Sequence, residues 1–179
     1  SVSVICTDKT GTLTEGKMAA SKIVTYESDL SSFEGKDIPR DIKDLLSAAS
    51  LNNDANIANG GVGQPTELAL LEAASKVGID IEKLRNRFER INEIPFSSDI
   101  KYMVTLHQWD DGECAILKGA PERVFEMSSL ENKKRTFFEE QADLMMHKGL
   151  RVLAIAHKEK EAGHFDDIHT IDNYDFLGL

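Results

Sequence analysis

The sequence predicts an α+β fold, an antiparallel β-sheet flanked by helices, and three observations carry that prediction. The β-rich runs "KYMVTLHQW" (101–109) and "ECAILKG" (113–119) are joined by "DDG", a strong hairpin signal. Segments of helical spacing are gathered on either side of these runs, where a parallel fold would place one helix between each pair of strands. A chain of 179 residues, 41% hydrophobic and 29% charged, has the composition of a soluble globular protein with one main core.

In chain order, "SVSVICT" (1–7) is apolar and β-branched, which predicts a buried strand, and "DKTGTLTEG" (8–16) is rich in turn formers. "KMAASKIVTY" (17–26) reads as a second strand and "ESDLSSFEGKDIPR" (27–40) as a loop. A helix is predicted for "RDIKDLLSAASLNN" (40–53), whose apolar positions Ile42, Leu45, Leu46 and Ala49 share one face and whose Asn pair stops it. After the Gly/Asn loop 54–64, "PTELALLEAASKVG" opens with Pro65 at a helix start, carries Glu67 in its first turn and ends at Gly78. "DIEKLRNRF" is a short helix capped by Asp80, and "ERINEIPF" is extended. "APERVFEMSS" and "ENKKRTFFEEQADLMMHKG" are helical, the second stopped at Gly149. "LRVLAIAHK" and "YDFLGL" read as strands, and both ends of the chain read as pieces of a sheet continued elsewhere.

A net charge of −10 argues against nucleic acid or an anionic lipid surface as a partner, because both require a cationic face. No stretch approaches the roughly 20 apolar residues of a membrane span, so any membrane part is expected elsewhere. Cys6 and Cys114 match no metal-ligand spacing and read as reduced, buried thiols. Histidines 107, 147, 157, 164 and 169 likewise show no ligand spacing.

The chemistry is concentrated in "DKTGTLT" (8–14), a carboxylate at the end of a buried strand beside an ammonium, a glycine and hydroxyls. An aspartate so placed can attack a phosphoryl group and form an acyl phosphate, provided cations and backbone N–H groups neutralise the transferring oxygens. Asp8 is the candidate nucleophile, Lys9 and Thr10 its catalytic neighbours, and Mg²⁺ the partner, held at Asp8 and Thr10. Many phosphatases carry a second aspartate two positions on, as general acid and base, where this chain has Thr10. Without it the acyl phosphate persists, which suits an energy transducer better than a phosphatase.

"DKTGTLT" resembles the phosphorylation motif of the P-type ATPases, ion pumps that form an aspartyl phosphate. The likeness continues downstream in "GQPTELALL" (63–71), "PFSSDIKYM" (95–103), "KGAPE" (118–122) and, more loosely, "GLRVLAIA" (149–156), in the family's order and most like its Ca²⁺ or Na⁺/K⁺ branch. Gln64 departs from the acid many relatives carry. The resemblance implies an ATP site in which Phe96 stacks on adenine, with Ser97, Met103 and Leu153 around it. Glu67 lies at the rim, Lys101 and Lys118 line the floor and mouth, Gly119 and Ala120 keep the backbone open, and Arg151 faces the phosphates. It further implies a division into residues 1–16, the first strand and loop of a phosphorylation domain, 17–172, a nucleotide-binding domain, and 173–179, a strand returning towards the first. The expected partners are ATP and the remaining phosphorylation, actuator and transmembrane domains of a multi-pass membrane pump, with this part cytoplasmic and monomeric and its Mg²⁺ site incomplete. The alternatives are a haloacid dehalogenase-type phosphatase or phosphotransferase acting alone, which Thr10 disfavours, and a stand-alone nucleotide-binding module.

Overall fold

The structure of the chain is a computed structural model that describes residues 3–4, 16–33, 37–57, 61–110 and 112–179. Two short strands, β1 (Ile23–Val24) and β2 (Asp29–Leu30), pair antiparallel and precede three helices, α1 (Arg40–Leu51), α2 (Pro65–Lys76) and α3 (Ile81–Arg87). The chain then forms β3 (Arg90–Ile94), β4 (Tyr102–Trp109) and β5 (Gly112–Gly119), the helices α4 (Pro121–Met127) and α5 (Asn132–His147), β6 (Ala154–Lys160), a 3₁₀ turn (Ile168–Thr170) and β7 (Asp175–Gly178). The main sheet has five strands in the order β3-β4-β5-β6-β7, every neighbouring pair antiparallel. The expected α+β class holds.

Local chemistry accounts for these elements. In α1, Ile42, Leu45, Leu46 and Ala49 form the buried stripe that the 3.6-residue repeat requires. Pro65 occupies the first turn of α2, where its missing N–H costs nothing, and the Asp80 carboxylate caps α3 by accepting from Lys83 N–H at 3.0 Å. The β4–β5 hairpin runs in register from Tyr102 opposite Gly119 to Trp109 opposite Gly112.

β5 is buried along its whole length because both faces of the sheet are covered. Cys114 and Ile116 pack with the residues of α1, α2 and α3, while Ala115 and Leu117 pack on the other face with α4 and α5. Pleating sends successive side chains to opposite faces, so Lys118 falls on the α1–α3 side.

Residues 17–26 differ from expectation: only Ile23–Val24 is strand, and its partner Asp29–Leu30 lies in the stretch expected to be loop. A tight turn is the reason. Thr25 N–H donates to Ser28 O at 2.8 Å, and the Thr25 and Ser28 hydroxyls both bond the Asp41 carboxylate, which folds the chain back after two residues.

Val24 and Leu179 exchange backbone hydrogen bonds of 2.8 and 2.9 Å, so the segment leading into the fold and the segment leading out lie side by side. Gly178 permits this approach, since at its φ of +153° a Cβ would sit 2.3 Å from Val24 O. Among the described residues no helix is long and apolar enough to cross a membrane. Asp8, Lys9, Thr10 and Cys6 lie outside the described residues.

Candidate functional site

The residues singled out in the sequence fall into three neighbouring groups, and α2 joins two of them. The first is built on the end of α1. Lys118 Nζ, on a residue only 6% exposed, donates to Asn52 O and pairs with Glu67 Oε1 at 3.0 Å. A cation at the carbonyl end of a helix meets its unpaired acceptors and the negative end of its dipole. Burial pushes the Lys118 ammonium below its usual range, while the Glu67 carboxylate pulls the other way. Met103 lies opposite Lys118 on β4 and is 1% exposed, so it underlies the pair from within the core.

Three residues that sequence reasoning did not single out complete this group. Asn52 Nδ2 donates to Met103 O and Ile116 O, at 3.2 and 2.6 Å, and pins the end of α1 to two strands at once. Arg85 donates to the carbonyls of Ser50, Asn53 and Ala55, and Arg90 to those of Leu51 and Asn53, all between 2.9 and 3.2 Å. The Asn pair that reads as a helix stop is the only sequence signal here, and it does not reveal partners 30 to 66 residues away.

The second group is the turn carrying Phe96, Ser97 and Lys101. Lys101 N–H donates to Ser97 O at 2.8 Å, and Lys101 takes a positive φ of 60°, uncommon for a residue with a side chain. Its carbonyl accepts from Ala120 N–H at 3.0 Å, and its ammonium reaches Glu122 at 3.3 Å in an exposed pair. A Cβ at Gly119 would lie 2.6 Å from Lys101 O and 2.6 Å from Tyr102 Cβ, so the strands close up only because Gly119 lacks one. Every residue after the lysine of "KGAPE" thus does something local. Gly119 permits close approach, Ala120 caps α4, Pro121 fills its first turn, and Glu122 pairs with Lys101. Phe96 projects from this turn, 59% exposed.

The third group lines a cavity of about 310 Å³ between residues 17–23, α2 and the loop before β6. Thr66, Arg151 and Leu153 are in its wall, and Arg151 Nη1 donates to Thr66 Oγ1 at 3.5 Å. Phe96, Lys101 and Lys118 are not among its lining residues. The first turn of α2 connects the groups, since Thr66 turns to Arg151 while its neighbour Glu67 turns to Lys118. An exposed aromatic face, a shielded ion pair and an exposed guanidinium suit a ligand with a planar ring at one end and anionic groups at the other.

Comparison with known proteins agrees with the fold. Residues 41–178 match the family model described as P-type ATPase, cytoplasmic domain N. The chain is 35% identical over 191 residues to the Calcium-transporting ATPase 1 of Bacillus cereus, which covers 100% of this chain and 21% of that protein. It is 36% identical to the Calcium-transporting ATPase 1 of Lactococcus lactis, over 88% of this chain and 19% of that one, and 32% identical to the human Calcium-transporting ATPase type 2C member 2, over 86% and 20%. The chain therefore spans about a fifth of the length of these curated relatives. On the family match and these identities, the chain belongs to the P-type ATPase family, as its cytoplasmic domain N.

Proposed function

We propose that this chain binds ATP as the cytoplasmic domain of a membrane-embedded P-type cation pump, with Ca²⁺, the cation named in several relatives, as the favoured cargo. The observation that carries the reading is the meeting of Glu67 and Lys118 at 3.0 Å across 51 residues of chain, with α2 turning the adjacent Thr66 to Arg151. In this reading adenine stacks on exposed Phe96, beside the Ser97–Lys101 turn and the Gly119–Ala120 backbone that packs against Lys101. Glu67 accepts from the exocyclic amine, Lys118 holds Glu67 in place, and Leu153 and Arg151 extend the site, the guanidinium towards the phosphates. Met103 supports Lys118 from below.

In the parent protein the γ-phosphate would pass to Asp8, with Lys9 and Thr10 beside it. Asp8 and Thr10 would hold Mg²⁺, which neutralises charge on the transferring group. Residues 1–16 then belong to a phosphorylation domain, 17–172 to the nucleotide-binding domain, and 173–179 to the returning connection. The pairing of Val24 with Leu179 supports an inserted domain whose two connections run together, as a closing hinge requires. Its partners are ATP and the phosphorylation, actuator and transmembrane domains of the same pump.

Titration of the chain with ATP, followed by calorimetry, tests the site. Weak binding by wild type that falls by about tenfold in Phe96→Ala is expected, since stacking of one base is worth about 1–3 kcal/mol. Equal affinities, or none in the wild type, would refute the assignment.

A further inference from the structure

The β5–β6 pair carries a cluster made of none of the site residues discussed above. Cys114 lies directly opposite Glu159, and Ile116 opposite His157, so strand alternation places Cys114, His157 and Glu159 on the α1–α3 face. One ligand atom from each lies within 4.8 Å of the other two, and His157 Nδ1 is 3.5 Å from Glu159 Oε1. Tetrahedral zinc with ordinary bond lengths needs its nitrogen and oxygen ligands about 3.4 Å apart and its sulfur and nitrogen about 3.6 Å apart. The imidazole and carboxylate already satisfy the first spacing, and the thiol requires a closing movement of at most about 1 Å. His157 and Glu159 can supply it, because their side chains are 28% and 43% exposed and, among the described residues, they pair with each other and no other side chain.

We propose that Cys114, His157 and Glu159 form a three-ligand site for a soft divalent cation of the zinc type, with water in the fourth position. Thiolate and imidazole together select such ions over Mg²⁺ and Ca²⁺, which prefer sites made wholly of oxygen. The buried sulfur forms the floor, and the two exposed side chains leave the ion open to exchange. Binding forms a metal–sulfur bond and breaks the S–H bond, and the proton leaves to the buffer. Burial and the Glu159 charge push the Cys114 thiol up to about 12, so it is protonated at neutral pH until the metal displaces the proton. The ion would clamp β5 to β6 on the face that carries Lys118, four residues further along β5. This site stands independently of the nucleotide reading.

The test uses the whole chain, with Zn²⁺ in competition with a chromophoric chelator and Co²⁺ as a spectroscopic substitute. The expected result is one metal per chain and a cobalt–thiolate charge-transfer band that is lost in Cys114→Ala and kept in Cys6→Ala. Loss of a ligand should cost more than loss of an outer partner, so His157→Ala and Glu159→Gln should each weaken Zn²⁺ by more than about tenfold. Absence of the band, a band that follows Cys6, or unchanged affinity in both the His157 and Glu159 variants would overturn the proposal. Those two variants alter partly exposed side chains and decide the matter even if Cys114→Ala unfolds.

Discussion

Truncation of Glu67 to alanine should destabilise the fold by about 3 kcal/mol, because it leaves the Lys118 ammonium shielded from water with only the Asn52 carbonyl as partner. Removing one member of a fully buried pair costs about 3–5 kcal/mol, and the 16% exposure of the Glu67 side chain places this pair at the lower end. For a chain of this size about 3 kcal/mol corresponds to a fall in Tm of roughly 6–12 °C. Glu67→Gln keeps an acceptor for Lys118 and should cost about half as much, the difference between a charge-assisted and a neutral hydrogen bond. Lys118→Met removes the shielded charge itself. It should cost less than Glu67→Ala, about 1–2 kcal/mol, chiefly for the unpaired Asn52 carbonyl. The double variant Glu67→Gln, Lys118→Met should be less damaged than the sum of its parts. Urea denaturation of the four variants measures the cycle. A Glu67→Ala cost under about 0.5 kcal/mol would mean that the pair behaves as a surface ion pair and that the reasoning from burial fails.

Other consequences are checked by similar means. Gly119→Ala should cost about 2 kcal/mol or more in a denaturation experiment, since the new methyl meets backbone at 2.6 Å, and an unchanged midpoint would contradict that geometry. Arg85→Ala should cost about 2–3 kcal/mol by leaving carbonyls at the end of α1 without donors, and Arg85→Lys should recover only part of it because an ammonium cannot fork across them. Burial, with Arg90 and Arg85 adding repulsion, pushes His107 down to about 4. The unfolded state therefore takes up the proton first, and stability is lost as pH falls from about 6.5 to about 4, by about 3 kcal/mol in all. The difference between wild type and His107→Gln, measured at pH 7 and at pH 4, isolates that loss, and parallel pH profiles would refute it.

Much of the fold was legible in the sequence wherever a local signal sufficed. The stripe Ile42, Leu45, Leu46 and Ala49, the Asp80 cap and the "DDG" turn each act within one element, and each element formed where expected. The two-residue pairing of β1 with β2 was not legible, because it depends on Asp41 of α1 gripping Thr25 and Ser28 from outside the turn. The site divides in the same way. Glu67 at the start of α2 follows from a motif read in place, whereas the packing of Gly119 against Lys101 and Tyr102 was not legible there, since the motif was read as keeping the backbone open. Nor was the burial of Lys118, since a lysine near the end of an apolar strand reads equally well as solvated. What removes it from water is the end of α1, delivered from 66 residues away by Asn52. Arg85 and Arg90 escaped notice for the same reason: their acceptors are backbone carbonyls, which leave no mark in a sequence. The cluster of Cys114, His157 and Glu159 exists only through strand register.

If the Phe96 turn, the Glu67–Lys118 pair and Arg151 form one adenine-nucleotide site, a single ligand must perturb all three together. Amide chemical-shift mapping of the chain during titration with ATP reads this directly. Saturable shifts concentrated at Glu67, Phe96, Ser97, Lys101, Gly119, Ala120 and Arg151, with the α5 surface silent, are the expected result. Shifts confined to the cavity between residues 17–23 and Arg151, or spread without saturation, would contradict a shared site.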